Sequence, residues 1–362
     1  MLRHALLLAL AATCSAASFD TGAVITGDGG AHRQSAYPVI TRIAKGRLVT
    51  AFAVMPKDGP DPYIAASISD DNGRTWSPPV KALDIPAMND ADPTLLWDGQ
   101  KLFVYSTTVP LKRTLIASSQ MFYTTSADGK AWSKPAEIPM PWKYSVGKRH
   151  RSFTLLDGSL IMPISWDLWA ERGTPARTEG EMNLASGVFK SKDGINWRAF
   201  GWIHTTDPKV LPSSTGGLCE PALVELQSGE LYMLLRSGTN HLYETRSKDN
   251  GVTWDTPKPS ALVSHNTPAG LWRLDDRPNE IIAIFNHSPL TRYPLSVALS
   301  ADGGHTWSTP RAVATSNGPQ VSYPNIVQAA DGQFVAVWQA QREDGGRDIR
   351  WARFDRDWAL GK

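Results

Sequence analysis

Apolar and polar positions along this chain fall into short blocks with a recurring form. An apolar run of a few residues is followed by a tight turn containing Gly and then by a second apolar run. The block occurs at Tyr37-Pro38-Val39-Ile40-Thr41 before Gly46, at Asp92-Pro93-Thr94-Leu95-Leu96 before Gly99, and at Arg151-Ser152-Phe153-Thr154-Leu155 before Gly158. It returns at Glu220-Pro221-Ala222-Leu223-Val224 before Gly229 and at Tyr323-Pro324-Asn325-Ile326-Val327 before Gly332, with a less regular copy from Thr267-Pro268 to Asn279. Runs this short, bounded by Gly and Pro, predict strands joined by turns. Gly (29) and Pro (26) together make about 15% of the chain against a usual ~12%. Their even spread disfavours long helices.

A second pattern interleaves with the first. Five segments carry Ser, any residue, Asp, then Gly and Trp: Ser69 to Trp76, Ser126 to Trp132, Ser191 to Trp197, Ser247 to Trp254 and Ser300 to Trp307. Their aspartates, Asp71, Asp128, Asp193, Asp249 and Asp302, are 57, 65, 56 and 53 residues apart. Asp accepts bonds from turn N–H groups, and Gly supplies a left-handed backbone position. Trp then buries a large area between neighbouring units. The boxes therefore read as turn staples rather than a reaction centre. Six strand pairs with five such turns predict an all-β fold, one six-bladed β-propeller of four-stranded sheets. Asp348 to Phe354 is the third strand of the last blade, and Phe19 to Thr26 adds its outer strand. The insertion around 166–181 reads as a loop.

The remaining composition narrows the function. Lys and Arg (37) nearly balance Asp and Glu (35), which gives no electrostatic case for a nucleic-acid partner. Residues 1–17 hold a basic Arg3-His4, an Ala/Leu run from Ala5 to Ala12 and small residues up to Ala17, the form of a secretory signal peptide. That run is too short to span a membrane, and no later one approaches that length. Residues 18–362 are then a single domain, secreted or periplasmic and monomeric, in which Cys219 has no internal partner once Cys14 is removed. His150, His265 and His287 lack metal-ligand spacing, and no metal or cofactor is expected.

In a propeller the first strand of each blade lines a central channel. Aligning the blocks places Tyr37, Asp92, Arg151, Glu220, Thr267 and Tyr323 at the channel mouth. Pro follows five of the six, as is tolerated where a strand begins. A ring of charged and phenolic groups suits a polar ligand. The run Lys148-Arg149-His150-Arg151 faces the same mouth and is suited to an anionic saccharide, with Trp166 and Trp169 available for stacking on sugar rings.

On these residues the chain resembles the sialidase superfamily, whose repeats are known as Asp-boxes or BNR repeats. The segment Glu220 to Arg236 is similar to the one carrying the catalytic glutamate and a carboxylate-binding arginine. Arg292 stands where another arginine of that cluster falls, and Ser322 to Gly332 is similar to the segment bearing the tyrosine nucleophile. The resemblance implies Tyr323 as nucleophile, Glu220 as its base, and Asp58 or Asp61 as general acid. Arg236 and Arg292 would clamp a substrate carboxylate, with Arg149, Arg151, His150, Asp92 and Tyr37 as further binding residues. A neutral nucleophile suits an anionic anomeric centre. Two positions depart from the family: Ala36 stands for a first-blade arginine and Gln339 for its supporting glutamate. Arg33 is a candidate substitute for that arginine. The expected activity is a retaining exo-glycosidase on a terminal acidic sugar, sialic acid or a related ulosonic or uronic acid of a glycan. The alternatives are a uronic-acid polysaccharide lyase using His, Tyr and Arg, and a non-catalytic carbohydrate-binding propeller.

Overall fold

A computed structural model describes residues 17–26, 32–56, 61–111, 119–140, 145–146, 150–168, 183–205, 217–315 and 319–362. Strands dominate the regular structure of the described chain, arranged as a β-propeller. The strands are β1 (Phe19–Ile25), β2 (His32–Arg42), β3 (Leu48–Pro56), β4 (Tyr63–Ser69) and β5 (Val80–Leu83), then β6 (Met88–Trp97), β7 (Leu102–Pro110), β8 (Gln120–Ser126) and β9 (Ala136–Ile138). Next come β10 (Ser145–Val146), β11 (Phe153–Thr154), β12 (Leu160–Asp167), β13 (Leu184–Ser191) and β14 (Arg198–Ile203). They are followed by β15 (Cys219–Glu225), β16 (Leu231–Arg236), β17 (His241–Ser247) and β18 (Lys258–Val263). The last are β19 (Gly270–Arg273), β20 (Ile281–Asn286), β21 (Leu295–Ser300), β22 (Arg311–Ala314), β23 (Val321–Gln328), β24 (Phe334–Gln341) and β25 (Arg347–Phe354).

Consecutive strands pair antiparallel. Strands β6–β9, β15–β18 and β19–β22 each form a four-stranded sheet, and β10–β14 form a five-stranded one. The eighth-strand total of the remaining sheet comes from β23–β24–β25 and β2–β3–β4–β5, with β1 also on β25. Its two halves touch through a single parallel pairing, Gln34 with Arg347. At its outer side β1 runs antiparallel to β25 from Phe19↔Phe354 to Ile25↔Ile349, so the N-terminal strand and the end of the chain share one sheet.

The core lies as apolar wedges between neighbouring sheets. Val49 and Ala51 face Leu95 and Val104, Phe103 and Tyr105 face Met162 and Phe189, and Val188 faces Leu223 and Met233. Val224 and Leu234 face Leu271 and Ala283, and Ile282 and Ile284 face Val335 and Val337. A smaller cluster of Ile25, Phe52, Val54, Ala65 and Ile349 joins the two halves of the eight-stranded sheet. Each fully buried Leu, Ile or Phe contributes about 1.5–3 kcal/mol. Trp166 belongs to this core: it is fully buried beside Phe189, so it does not stack on a ligand as its sequence position suggested. Trp169 and most of the 166–181 insertion lie outside the described residues, as do residues 1–16 of the expected leader.

The five repeated turns share one set of bonds. In the first, Ser69 Oγ donates to Asp71 Oδ1 (2.7 Å) and accepts the Gly73 N–H (2.8 Å). Asp71 also accepts from the Thr75 N–H (2.9 Å) and hydroxyl (2.6 Å). Ser247–Asp249–Gly251 and Ser300–Asp302–Gly304 repeat this arrangement, while Ser126–Asp128–Gly129 and Ser191–Asp193–Gly194 use a turn one residue shorter. Four of the boxes lean on the preceding sheet. A Cβ on Gly129 would meet Ile68 and Val49, one on Gly194 Phe103, one on Gly251 Val188, and one on Gly304 Tyr232. A Cβ on Gly73 would lie 2.7 Å from Val335, in the last strands of the chain.

Candidate functional site

The first strands of the sheets end at equivalent places. Arg42, Trp97, Glu225 and Gln328 each close the last ladder pair before a turn. Five residues before each of them stands a residue with a left-handed backbone: Tyr37 (φ 58°), Asp92 (φ 48°), Glu220 (φ 48°) and Tyr323 (φ 54°). Pro follows each one. At all four places the ladder breaks in a β-bulge, between Ala36 and Val39, Ala91 and Thr94, Cys219 and Ala222, and Ser322 and Asn325. Pro has no N–H to offer the ladder, so little hydrogen bonding is lost there. A left-handed position costs a non-Gly residue roughly 1–2 kcal/mol. The bulge turns one side chain per strand toward the channel mouth, a device associated with active sites.

In the sheet of β19–β22 the left-handed residue is Asn266 (φ 43°), one position before the expected Thr267. Thr267 is fully buried, its hydroxyl 3.1 Å from that of Ser264. Asn tolerates the left-handed region, which was the available signal in the sequence. In the β10–β14 sheet, five residues back from Thr154 is Arg149, not Arg151. Thr154 pairs with Leu160 just as Glu225 pairs with Leu231, so Arg151 stands two residues past the register of Glu220. Lys148 and Arg149 lie outside the described residues.

Around the mouth the structure gathers Glu220, Arg236, Asn266, Arg292, Tyr323 and Tyr37. Arg236 Nη1 donates to Glu220 Oε2 at 2.8 Å in a buried ion pair, and its Nε donates to Asn266 Oδ1 at 2.8 Å. Burial works to lower the Arg236 pKa, but the Glu220 carboxylate, with Tyr323 and Cys219 behind it, holds it above its usual value. The guanidinium is therefore a permanent cation at this depth. Arg292 lies over the Tyr323 ring (5.5 Å to its centroid) and donates to the Asn266 carbonyl at 3.1 Å. Tyr37 meets Tyr323 edge-on, with ring centroids 5.0 Å apart and planes at 88°.

Supporting groups fix these residues. The Glu220 N–H donates to Ser165 Oγ (2.9 Å), which lies 2.8 Å from the Ser186 hydroxyl. Gln339 accepts from the Tyr37 N–H (3.1 Å) and donates through Nε2 to Ser322 Oγ (3.1 Å). A carboxylate at 339 would be able to accept but not to donate. Ser165 and Asn266 escaped the sequence reading because both act on residues far away in the chain.

The other expected site residues have different surroundings. Asp92 is buried at its bulge. Asp61 accepts the Ala87 N–H at 2.6 Å, capping a turn where Ala87 has φ 61°. Asp58 lies outside the described residues, as does the side chain of Arg33. His150 is buried inside the channel, with Nε2 2.9 Å from the Leu271 carbonyl and Nδ1 3.1 Å from that of Arg151. Burial, then the Arg151 charge, pushes its pKa down to about 3, so it is a neutral pin between strands rather than a group at the mouth. Arg151 also sits deeper: its neighbours His150 and Ser152 bond to Thr94 and Leu95, two and three residues past Asp92. Its guanidinium stacks on Trp272 (4.1 Å to the centroid) and Phe153 (4.9 Å). Among the described residues no cluster of His, Cys, Asp or Glu could hold a metal, and no helix is long and apolar enough to cross a membrane.

Known proteins resemble this chain at several levels. A sialidase of Bacteroides fragilis is 25% identical over 224 residues, which is 58% of this chain and 37% of that protein. The chain thus spans little more than a third of that relative's length. The Hadza microbial sialidase Hz136 superposes with a TM-score of 0.76 at 17% identity, over 93% of this chain and 69% of that one. The intramolecular trans-sialidase of Ruminococcus gnavus gives 0.69 at 15% identity, over 92% and 96%. A Dyadobacter fermentans protein of unknown function gives 0.71 at 18% identity, over 89% and 94%. A BNR repeat-like domain matches residues 93–336, most of the ring and all but the first of its boxes, and the chain belongs to that family within the sialidase superfamily of propellers.

Proposed function

We propose that the protein is a sialidase-like exo-glycosidase that hydrolyses a terminal acidic sugar from a glycan with retention of configuration. The observation that carries this reading is the buried Glu220–Arg236 pair set beside Tyr323, under Arg292, on strained bulges. Tyr323 Oη attacks the anomeric carbon while Glu220 takes its proton, so that a phenol with pKa near ~10 need not ionise beforehand. Asp58 or Asp61 gives a proton to the departing oxygen, and the same group then takes one from the water that cleaves the Tyr323 adduct. Arg236 and Arg292 hold the sugar carboxylate.

The same reading takes the ring as six blades. The eight-stranded sheet divides at Gln34–Arg347, because Ile25, Phe52, Val54, Ala65 and Ile349 pack face to face across that junction as other wedges do. Gly73 leaning on Val335 continues the box-on-preceding-blade rule around the closure. Secretion through the 1–17 leader and a monomeric state complete the proposal.

The test is a panel of sialosides and uronic-acid glycans with product analysis. Release of a free acidic sugar by the native protein, with Tyr323→Phe reduced at least ~10³-fold while its circular dichroism is unchanged, is the expected result. Undiminished hydrolysis by Tyr323→Phe would sink the mechanism. An ultraviolet-absorbing unsaturated product would instead identify a lyase, and binding without turnover a lectin. His150, neutral and bonded on both ring nitrogens, is not available as a lyase base, which leaves that reading to His265, His287 and Tyr323.

A further inference from the structure

At the end of the channel away from the mouth there is a second constellation. It lies where the first strands finish, about five residues, or ~16 Å at ~3.3 Å per residue, from the left-handed ring. A cavity of about 160 Å³ is lined there by Arg151, Phe153, Glu225, Trp272, Arg273 and Asp275 among others. Its volume corresponds to roughly five waters at ~30 Å³ each. The charges around it do not cancel. Asp275 is already paired with Arg42 at 2.5 Å. Glu225 accepts the Leu156 N–H at 2.8 Å, and burial pushes its carboxyl pKa up against the opposing Arg273 charge.

Two guanidiniums are left over. Neither Arg151 nor Arg273 has an ion pair among the described residues. Arg151 Nε is buried without a hydrogen-bond partner, while the flat guanidinium is held between the Trp272 and Phe153 rings. Stacking of this kind fixes the plane of the group and leaves its edge for a ligand. Burial pushes the Arg151 pKa down to about 9; Asp275 opposes that shift, and Arg42 and Arg273 add to it. A buried donor left unmade is costly, and a bound anion removes that cost.

We propose that this channel end is an oxyanion site, in which Arg151 and Arg273 take a phosphate, sulfate or carboxylate group. Such an anion bridges the segment leading into β11 and strand β19, beside β15, and so ties three neighbouring sheets together at the axis. It is separate from the mouth and does not depend on the glycosidase reading.

The experiment is thermal unfolding and titration calorimetry of the intact protein with sodium phosphate, sulfate or acetate, each against sodium chloride at equal ionic strength. With ligand in about tenfold excess over Kd, the site predicts a Tm higher by about 2–4 °C than in chloride. The ranking of the three salts distinguishes a tetrahedral from a carboxylate ligand. Arg151→Gln and Arg273→Gln should each abolish the shift and the binding heat. If Arg151→Gln does not fold, Arg273→Gln decides alone. Equal Tm in all four salts overturns the proposal. So does a shift that survives Arg273→Gln, or one that disappears in Arg292→Gln and thereby moves the ion to the mouth.

Discussion

The turn boxes and the channel mouth both use left-handed backbone, but they give it to different residues. In the boxes it falls on Gly73, Gly129, Gly194, Gly251, Gly303 and Gly304, and on Asn72 and Asn250, all residues that adopt it at low cost. At the mouth it falls on Tyr37, Asp92, Glu220, Asn266 and Tyr323. The boxes repeat one chemistry five times, a Ser hydroxyl accepting the Gly N–H and an Asp carboxylate accepting an N–H further along, as expected of a structural unit. The mouth repeats one backbone device with four kinds of side chain, Tyr, Asp, Glu and Asn, on its five positions. Constant backbone with varied, mostly strained and chemically active side chains is the mark of a site assembled from several blades. Strain persists there because the wedges on either side hold the strands in place.

The contrast can be broken most forcefully at the buried ion pair. Arg236→Leu leaves the Glu220 carboxylate buried without its partner and should destabilise the protein by about 3–5 kcal/mol in urea unfolding. Adding Glu220→Leu should recover much of that loss. A single-variant loss below about 1 kcal/mol would mean that the mouth is not braced through this pair.

A second, smaller effect appears with pH. His150 has a folded pKa of about 3 against about 6.5 in the unfolded chain. The unfolded state therefore takes a proton that the folded state refuses. The stability it contributes is fully present above pH 6.5 and is lost as pH falls toward 3, by about 2 kcal/mol between pH 6.5 and 5. Asp90 runs the other way: burial raises its pKa to about 6 despite bonds from Thr108 and Ile85, so its contribution falls as pH rises through 6. Comparing the native protein with His150→Gln isolates the histidine, and the variant should show the flatter acid limb. Identical limbs would mean that His150 is not the buried pin.

In the boxes, Gly73→Ala combines a left-handed position with a Cβ 2.7 Å from Val335 and should cost about 1–3 kcal/mol by thermal unfolding. At the low end, Asn72→Gly should stay within about 0.5 kcal/mol, since Gly303 occupies the same box position in the fifth repeat. A large loss there would show that the boxes are less interchangeable than their bonds suggest.

How much of this was legible can be judged residue by residue. The boxes were readable because their bonds are local: Ser69, Asp71, Gly73 and Thr75 lie within seven consecutive residues. The strand starts at Tyr37, Asp92, Glu220 and Tyr323 were readable because Pro follows each. Arg151 was placed on the ring by spacing alone, and Thr267 by the Pro that follows it. Their true register depends on the turn beyond the strand: Arg151 lies two residues past the ring position, and the left-handed residue beside Thr267 is Asn266. Trp166 reads as an aromatic platform in a loop but is core, because Phe189 on the adjoining strand closes over it.

The sequence by itself therefore determined the all-β architecture, the repeat and the segments that supply the mouth, since periodicity and turn chemistry act over a few residues. Only the tertiary structure decided that Arg236 pairs with Glu220, that Asn266 and Ser165 hold them, and that His150 and Arg151 turn down the channel. Those outcomes depend on groups from different sheets meeting at one axis. Burial there sets which charges find partners, and no local pattern carries that information.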